Sequence, residues 1–318
     1  MSDDIPPVSG ATYLIGRHAA SSLWLARYME RIENLARLVD VTKNFTRGDT
    51  DWLSMLRING DEVSFLGRYP QVSQANVARF YLLDADNPSS VQAAIIWAKE
   101  NARTLRALIS TEMWLQINVF HRRIRDLSGA DIDPERLSSV CEMLKEGTQA
   151  HTGITEGTFY RDQGWHFYMM GRYLERADQT TRLLDTQFNA RASRDVDGDA
   201  GQWHALLRAA AGYHAYRREY PHGYRPAEVA GFLLVNTAFP RSVALNLSQL
   251  EWHLTQLRLR YHLRGGTPAL ERVDHLRTLL THQTMTELLT RGLSMFLDWM
   301  QREIALLHDD IMQGLCGL

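Results

Sequence analysis

One segment occurs twice, and that repetition constrains the chain more than any other feature. Arg27-Tyr-Met-Glu-Arg-Ile-Glu-Asn-Leu-Ala-Arg-Leu-Val-Asp40 aligns with Arg172-Tyr-Leu-Glu-Arg-Ala-Asp-Gln-Thr-Thr-Arg-Leu-Leu-Asp185, with seven identities in fourteen positions at an offset of 145 residues. Two further matches follow in the same order. Trp52-Leu-Ser-Met-Leu-Arg57 lies over Trp203-His-Ala-Leu-Leu-Arg208, and Phe80-Tyr-Leu-Leu with Pro88-Ser-Ser-Val91 lies over Phe232-Leu-Leu-Val with Pro240-Arg-Ser-Val243, at offsets of 151 and 152. Ordered self-similarity at a nearly fixed period is the mark of a duplicated unit. The expectation is two pseudo-repeats of about 150 residues, residues 1–150 and 151–318, sharing one core. The longer offset further along points to an insertion in the polar segment Arg191–Gly201, opposite the shorter Thr46–Thr50.

The spacing within each copy is helical. Leu25, Tyr28, Met29, Ile32, Leu35, Ala36 and Val39 recur every three or four residues, the signature of one apolar stripe on an α-helix. Arg27, Glu30, Arg31, Asn34 and Arg37 occupy the opposite face. Pro88-Ser-Ser and Pro240-Arg-Ser read as helix starts with hydroxyl caps, the first leading into a run from Val91 to His121. Asp133-Pro134 and Thr267-Pro268 read as two more starts with a capping residue before proline. Alternating strand patterns are missing, so the fold class is all-α, an internally duplicated helical bundle.

Composition removes several functional classes. A net charge of −2 gives no global attraction to nucleic acid or an anionic membrane. No stretch approaches eighteen uninterrupted apolar residues, and the acidic, proline-containing start does not resemble a secretory signal. Cys141 and Cys316 stand far apart, which argues against a disulfide framework and for a reducing cytoplasm. The histidines His18, His151, His166, His204, His214, His253 and His262 are scattered without metal-ligand spacing, and are expected to be solvated or at interfaces. No phosphate-binding glycine loop is present; Gly265-Gly266 reads as a turn, so neither metal nor cofactor is expected. Asp309-Asp310 lacks the further carboxylates that a magnesium-diphosphate site needs. Cys141 lies in an amphipathic run, where a buried thiol is the expected outcome, and Trp24, Trp97, Trp114, Trp165, Trp203, Trp252 and Trp299 fall mostly on apolar stripes.

The polar residues of the repeated segment are the candidates for chemistry. Spacings of three and four place Glu30 beside Arg27 and Arg31, and Glu175 beside Arg172 and Arg176. Such a face suits three uses: an intrahelical ion-pair surface, a polar interface between the two copies, or a guanidinium fork for a carboxylate or phosphate. No residue stands out as catalytic.

These segments, together with Gly16-Arg17, Glu100-Asn-Ala-Arg103, Trp114, Asn118, Gly164-Trp165 and Pro240-Arg241-Ser242, resemble the alpha-E domain family, helical proteins named for a Glu-Arg motif. The resemblance spans nearly the whole chain; Ala26 departs from it where Gly171 keeps the usual glycine. It adds Arg37, Arg103 and Arg241 to the candidate binding residues. It also implies a setting: similar proteins occur beside, or fused to, a circularly permuted ATP-grasp protein, often with a transglutaminase-like cysteine peptidase nearby. The expected role is an accessory, substrate-binding subunit of an amide (peptide) ligase system, with an enzyme using an Arg/Glu anion site, or a plain scaffold, as the alternatives.

Overall fold

The computed structural model describes Leu14 and residues 16–45, 49–192, 200–263, 265–282, 285, 287–288 and 292–318. Of the two segments in which the offset was expected to change, Thr46–Thr50 and Arg191–Gly201, residues 46–48 and 193–199 lie outside the described residues, and the remaining residues belong to helices. Among the described residues there is no strand. The helices are α1 (Gly16–Phe45), α2 (Asp49–Asn59), α3 (Glu62–Leu66), α4 (Gln74–Leu82), α5 (Val91–Thr104), α6 (Thr111–Arg125), α7 (Leu137–Thr158), α8 (Gln163–Ala192), α9 (Ala200–Ala209), α10 (Tyr213–Glu219), α11 (Pro226–Leu234), α12 (Val243–Tyr261), α13 (Thr267–His282) and α14 (Leu293–Ile311). No described helix is long and apolar enough to cross a membrane.

Local chemistry sets the helix ends. The hydroxyls of Ser90 and Ser242 accept from the backbone N–H groups of Ala93 and Leu245, capping α5 and α12 as the Pro-x-Ser pattern predicts. The run from Val91 to His121 is two helices: the chain turns after Thr104, and Ser110 starts α6 by accepting from the Met113 N–H. A hydroxyl that can cap a new helix outweighs an uninterrupted apolar period. Asp133 does not cap α7 either. Its carbonyl accepts from the N–H groups of Arg136 and Leu137, so Pro134 sits in a turn and α7 begins at Leu137. That helix runs through residue 150, and the next turn is at 159–162.

Helices α1 and α8 form the axis of the molecule. They lie side by side and run the same way: Leu14 N–H to Gln163, Ser22 to Gly164, Arg172 to Glu30 and Arg27 to Glu175 are separated by 149, 142, 142 and 148 residues. Neighbours whose separation stays nearly constant along both chains can only be parallel. The contact is close at Gly171, where a Cβ would stand 2.1 Å from the Leu23 carbonyl oxygen. Gly265 and Gly314 make a similar backbone approach, so Gly265 is a packing position as well as a turn.

Buried apolar side chains gather in two clusters, not the single shared core expected from the repeat. One holds Leu25, Met29 and Ile32 of α1 with α2, α4, α5, α6 and α7; the other holds Met170 and Leu174 of α8 with α9 and α11 to α14. Each axial helix begins in the other's cluster. Ala19, Ala20 and Leu23 of α1 pack with the second, and Trp165, Tyr168 and Met169 of α8 with the first. Two exceptions to the apolar-stripe expectation are Trp97 and Trp252, 53% and 47% exposed. Gly171→Ala is predicted to be destabilising by about 1–3 kcal/mol in chemical denaturation despite alanine's better helix propensity, because the obstruction is backbone and neither axial helix has room to move.

Candidate functional site

The polar face of α1 is not solvated. It is turned onto α8, and the two copies of the motif exchange partners. Arg27 Nε donates to Glu175 Oε2 at 2.8 Å, and Arg31 donates from Nε to Oε1 at 2.9 Å and from Nη2 to Oε2 at 3.3 Å. In the reverse direction, Arg172 Nε reaches Glu30 Oε1 at 3.1 Å and Arg176 Nη2 reaches it at 2.7 Å. The carboxylates are buried, with side-chain exposures of 0% for Glu175 and 5% for Glu30. The intrahelical pairing suggested by the spacing is therefore corrected: each Glu faces the arginines of the other helix. Parallel helices in register place a residue opposite its own counterpart, and a carboxylate between two foreign guanidiniums is better compensated than one beside only its own.

The surroundings differ between the two carboxylates. Arg241, from the turn before α12, inserts beside Glu30 and is itself buried. It donates to Asn34 Oδ1 at 2.6 Å and to Glu33 Oε1 at 2.9 Å, and its Nη2 stands 3.7 Å from Glu30 Oε2, a Coulombic contact beyond hydrogen-bond reach. Thr180 of α8 donates to the Arg241 carbonyl. Arg37 joins through Glu33 at 2.7 Å, an i,i+4 pair within α1. Arg172 also contacts Glu156 of α7. On the other side, Gln179 approaches Glu175, Trp24 stacks on Tyr28 with Arg27 over its ring, and His308 packs edge-on against Trp24.

Burial alone would raise both carboxyls. The guanidiniums of Arg176, Arg241 and Arg172 around Glu30, and of Arg31 and Arg27 around Glu175, overcome it and hold each carboxyl at about 2. Burial pulls Arg241 the other way, below its ordinary value, against the pull of Glu33 and Glu30. The lock thus rests on ionised pairs in a desolvated layer; it is fully matched around Glu175, whereas on the other side Glu30 Oε2 and Arg176 Nε are buried without a hydrogen-bond partner.

The Alpha-E family model, described as a predicted alpha-helical domain with a conserved ER motif, matches residues 14–314. The chain belongs to the Alpha-E family. Uncharacterized proteins of Mycobacterium bovis and Mycobacterium tuberculosis are 25% identical to it over 292 residues, covering 83% of this chain and 32% of theirs. The chain spans about a third of the length of these curated relatives. No solved structure matches it.

The Alpha-E motif accounts for most of the candidate residues. They fall into two ion-pair groups on the same helix pair, Arg27 and Arg31 around Glu175, and Arg172, Arg176 and Arg241 around Glu30, with Arg37 joined to the second through Glu33; Arg103 stands apart, exposed on α5 and paired with Glu100. Glu33, Glu156, Gln179 and Thr180 were not singled out from the sequence. The i,i+4 spacing marks Glu33 beside Arg37 and Gln179 beside Glu175, whereas nothing local marks Glu156 or Thr180. Several histidines expected at solvated or interface positions are core residues: His151, His166 and His253 are buried, and the Nδ1 atoms of His166 and His253 are 2.9 Å apart. Burial pushes Cys141 and Cys316 up to about 12, so neither is a thiolate at neutral pH. Asp310 pairs with Arg272, as does Glu303. No group of three or more metal-ligating side chains occurs among the described residues.

Two predictions follow from the Alpha-E network. Glu175→Gln, which leaves the half-buried Arg27 and Arg31 without a counter-charge, is expected to cost about 3 kcal/mol in denaturant unfolding. Arg27→Met alone should cost less, because Arg31 still holds the carboxylate. The second concerns acid. Burial lowers His151, His166 and His308 to about 4 and His253 to about 3, so between pH 6.5 and 4 the unfolded chain takes up protons that the folded chain refuses. Glu30 and Glu175, held at about 2 against an ordinary 4.5, stabilise the fold fully above pH 4.5 and lose that contribution as pH falls toward 2. Unfolding free energy measured from pH 8 to 3 should decline from about pH 6.5 and more steeply below pH 4.5. In His166→Gln/His253→Asn the upper part of that decline should shrink.

Proposed function

We propose that the chain is two copies of one helical unit held together by the exchanged motif charges, and that it acts as the accessory subunit of an ATP-grasp-type amide ligase system. In this role it docks on the ligase and helps present the ligase's substrate, in the cytoplasm, with a transglutaminase-like cysteine peptidase as a further member of the system. The duplication draws support from helix order: helices of 30, 11, 5 and 9 residues open the chain, and helices of 30, 10, 7 and 9 residues follow from α8 onward. The observation that carries the accessory role is the reciprocal lock itself. Every charged residue of both Arg-Tyr-x-Glu-Arg segments has an ion-pair partner on the opposite axial helix, so the motif serves assembly and the rest of the protein surface is left to meet a partner. The relatives add weight, since the matched region is only 32% of their length and is therefore accompanied by other sequence in the same chain. The ligase itself comes from the family resemblance.

The alternative, an enzyme using the motif as an anion pocket, is less well supported. An incoming anion would have to displace a buried carboxylate from each arginine pair, and the general acid or base would be a carboxyl held at about 2. The partner reading predicts that the chain co-purifies with the ATP-grasp protein encoded beside it, and that the complex survives gel filtration at micromolar concentration. Failure to associate, both with and without nucleotide, would remove it.

A further inference from the structure

At the far end of α1, away from the exchanged ion pairs, a cleft of about 440 Å³ opens between α1, α7, α9 and α10. That size falls within the range of small-molecule sites. Its lining carries three cations, Arg37, Lys145 and Arg208, against one carboxylate, Asp40. Asp40 is already engaged by Lys145 Nζ at 3.1 Å and by Asn44 Nδ2 at 2.9 Å, and Lys145 also contacts Glu142 outside the lining. Arg208 differs from the other two: among the described residues it has no carboxylate partner.

Arg208 is nonetheless held in place. Its guanidinium lies 4.8 Å from the centre of the Tyr213 ring and 5.5 Å from that of Phe45, and its Nε donates to His204 Nε2 at 2.7 Å. That bond requires a neutral His204 with its proton on Nδ1. Burial, then Arg208 and His214, lowers the His204 pKa and favours this form. The His204 ring stacks on Tyr213 at 4.2 Å. Ala211, also in the lining, adopts a left-handed backbone (φ 56°), a conformation unfavourable for a residue with a Cβ, and turns the chain so that Arg208 and Tyr213 meet across it. A guanidinium fixed by aromatic faces, with its terminal nitrogens unclaimed by any carboxylate among the described residues, is organised to receive an oxyanion; the flanking rings suit a planar or apolar body.

We infer that this cleft binds a small molecule bearing a carboxylate or phosphate beside a planar group, with Arg208 as the anion-holding residue. The inference does not depend on the ligase reading, and the chain alone tests it. Calorimetric titration of the full chain with benzoate and with phenyl phosphate separates the two oxyanion sources, and benzamide serves as the neutral control. At least one anion should bind saturably at one site per chain, about tenfold or more tighter than benzamide, and weaken with added salt. Arg208→Gln should weaken it about tenfold, while Arg103→Gln, a surface arginine elsewhere, should not. Arg208 is exposed, so its replacement leaves the fold intact, which circular dichroism checks. Absence of saturable binding up to about 10 mM, equal binding of benzamide, indifference to Arg208→Gln, or equal weakening by Arg103→Gln would each overturn the assignment.

Discussion

The structure depends on two buried carboxylates, each neutralised by guanidiniums from a different helix. Glu30 and Glu175 lie in a layer where an uncompensated charge is prohibitive, so α1 cannot adopt its position without α8, or α8 without α1. Ion pairs of this kind add little net stability relative to well-packed apolar side chains, because desolvation offsets most of the Coulombic gain. Their effect is on register. Sliding one axial helix along the other by a turn would separate both carboxylates from their arginines at once, whereas an apolar seam would tolerate the slip far better.

This arrangement reconciles one continuous pair of helices with two apolar clusters. Each axial helix starts against one cluster and continues through the other, so the ionic layer lies where both helices pass between cores. Close backbone contact at Gly171 brings the guanidiniums within hydrogen-bond distance of the opposing carboxylates. The two sides are alike in motif and different in surroundings. Arg241, with Asn34 and Glu33, reinforces one side, while Trp24, Tyr28 and His308 shield the other. Specialisation is therefore found around the motif and not in it, and the cleft near Arg208 belongs to that unequal periphery.

The helical class, the starts of α5, α12 and α13 and the repetition of the Arg-Tyr-x-Glu-Arg segment were legible in the sequence. Periodicity and capping chemistry are local: Ser90 and Ser242 cap because a hydroxyl stands at the right distance along the chain from an unpaired N–H. Legibility failed where two local signals competed, as at Ser110, which starts a new helix inside a segment whose helical spacing reads as continuous. It failed again for His166 and His253. Each follows a tryptophan in the sequence, but only the packing of α8 on α12 brings Trp252 and Tyr261 against His166 and Trp165 against His253.

The sequence by itself determined that this protein is all-helical and that one Arg/Glu face occurs twice, because 3.6-residue spacing and identity along the chain are one-dimensional facts. Tertiary structure alone decided that each glutamate is claimed by the other copy's arginines, that Arg241 joins from 207 residues away, and that Arg208 faces a cleft with no carboxylate partner among the described residues. The physical reason is that spacing specifies which residues share a helical face, whereas the partner across that face is set by how two helices approach in space.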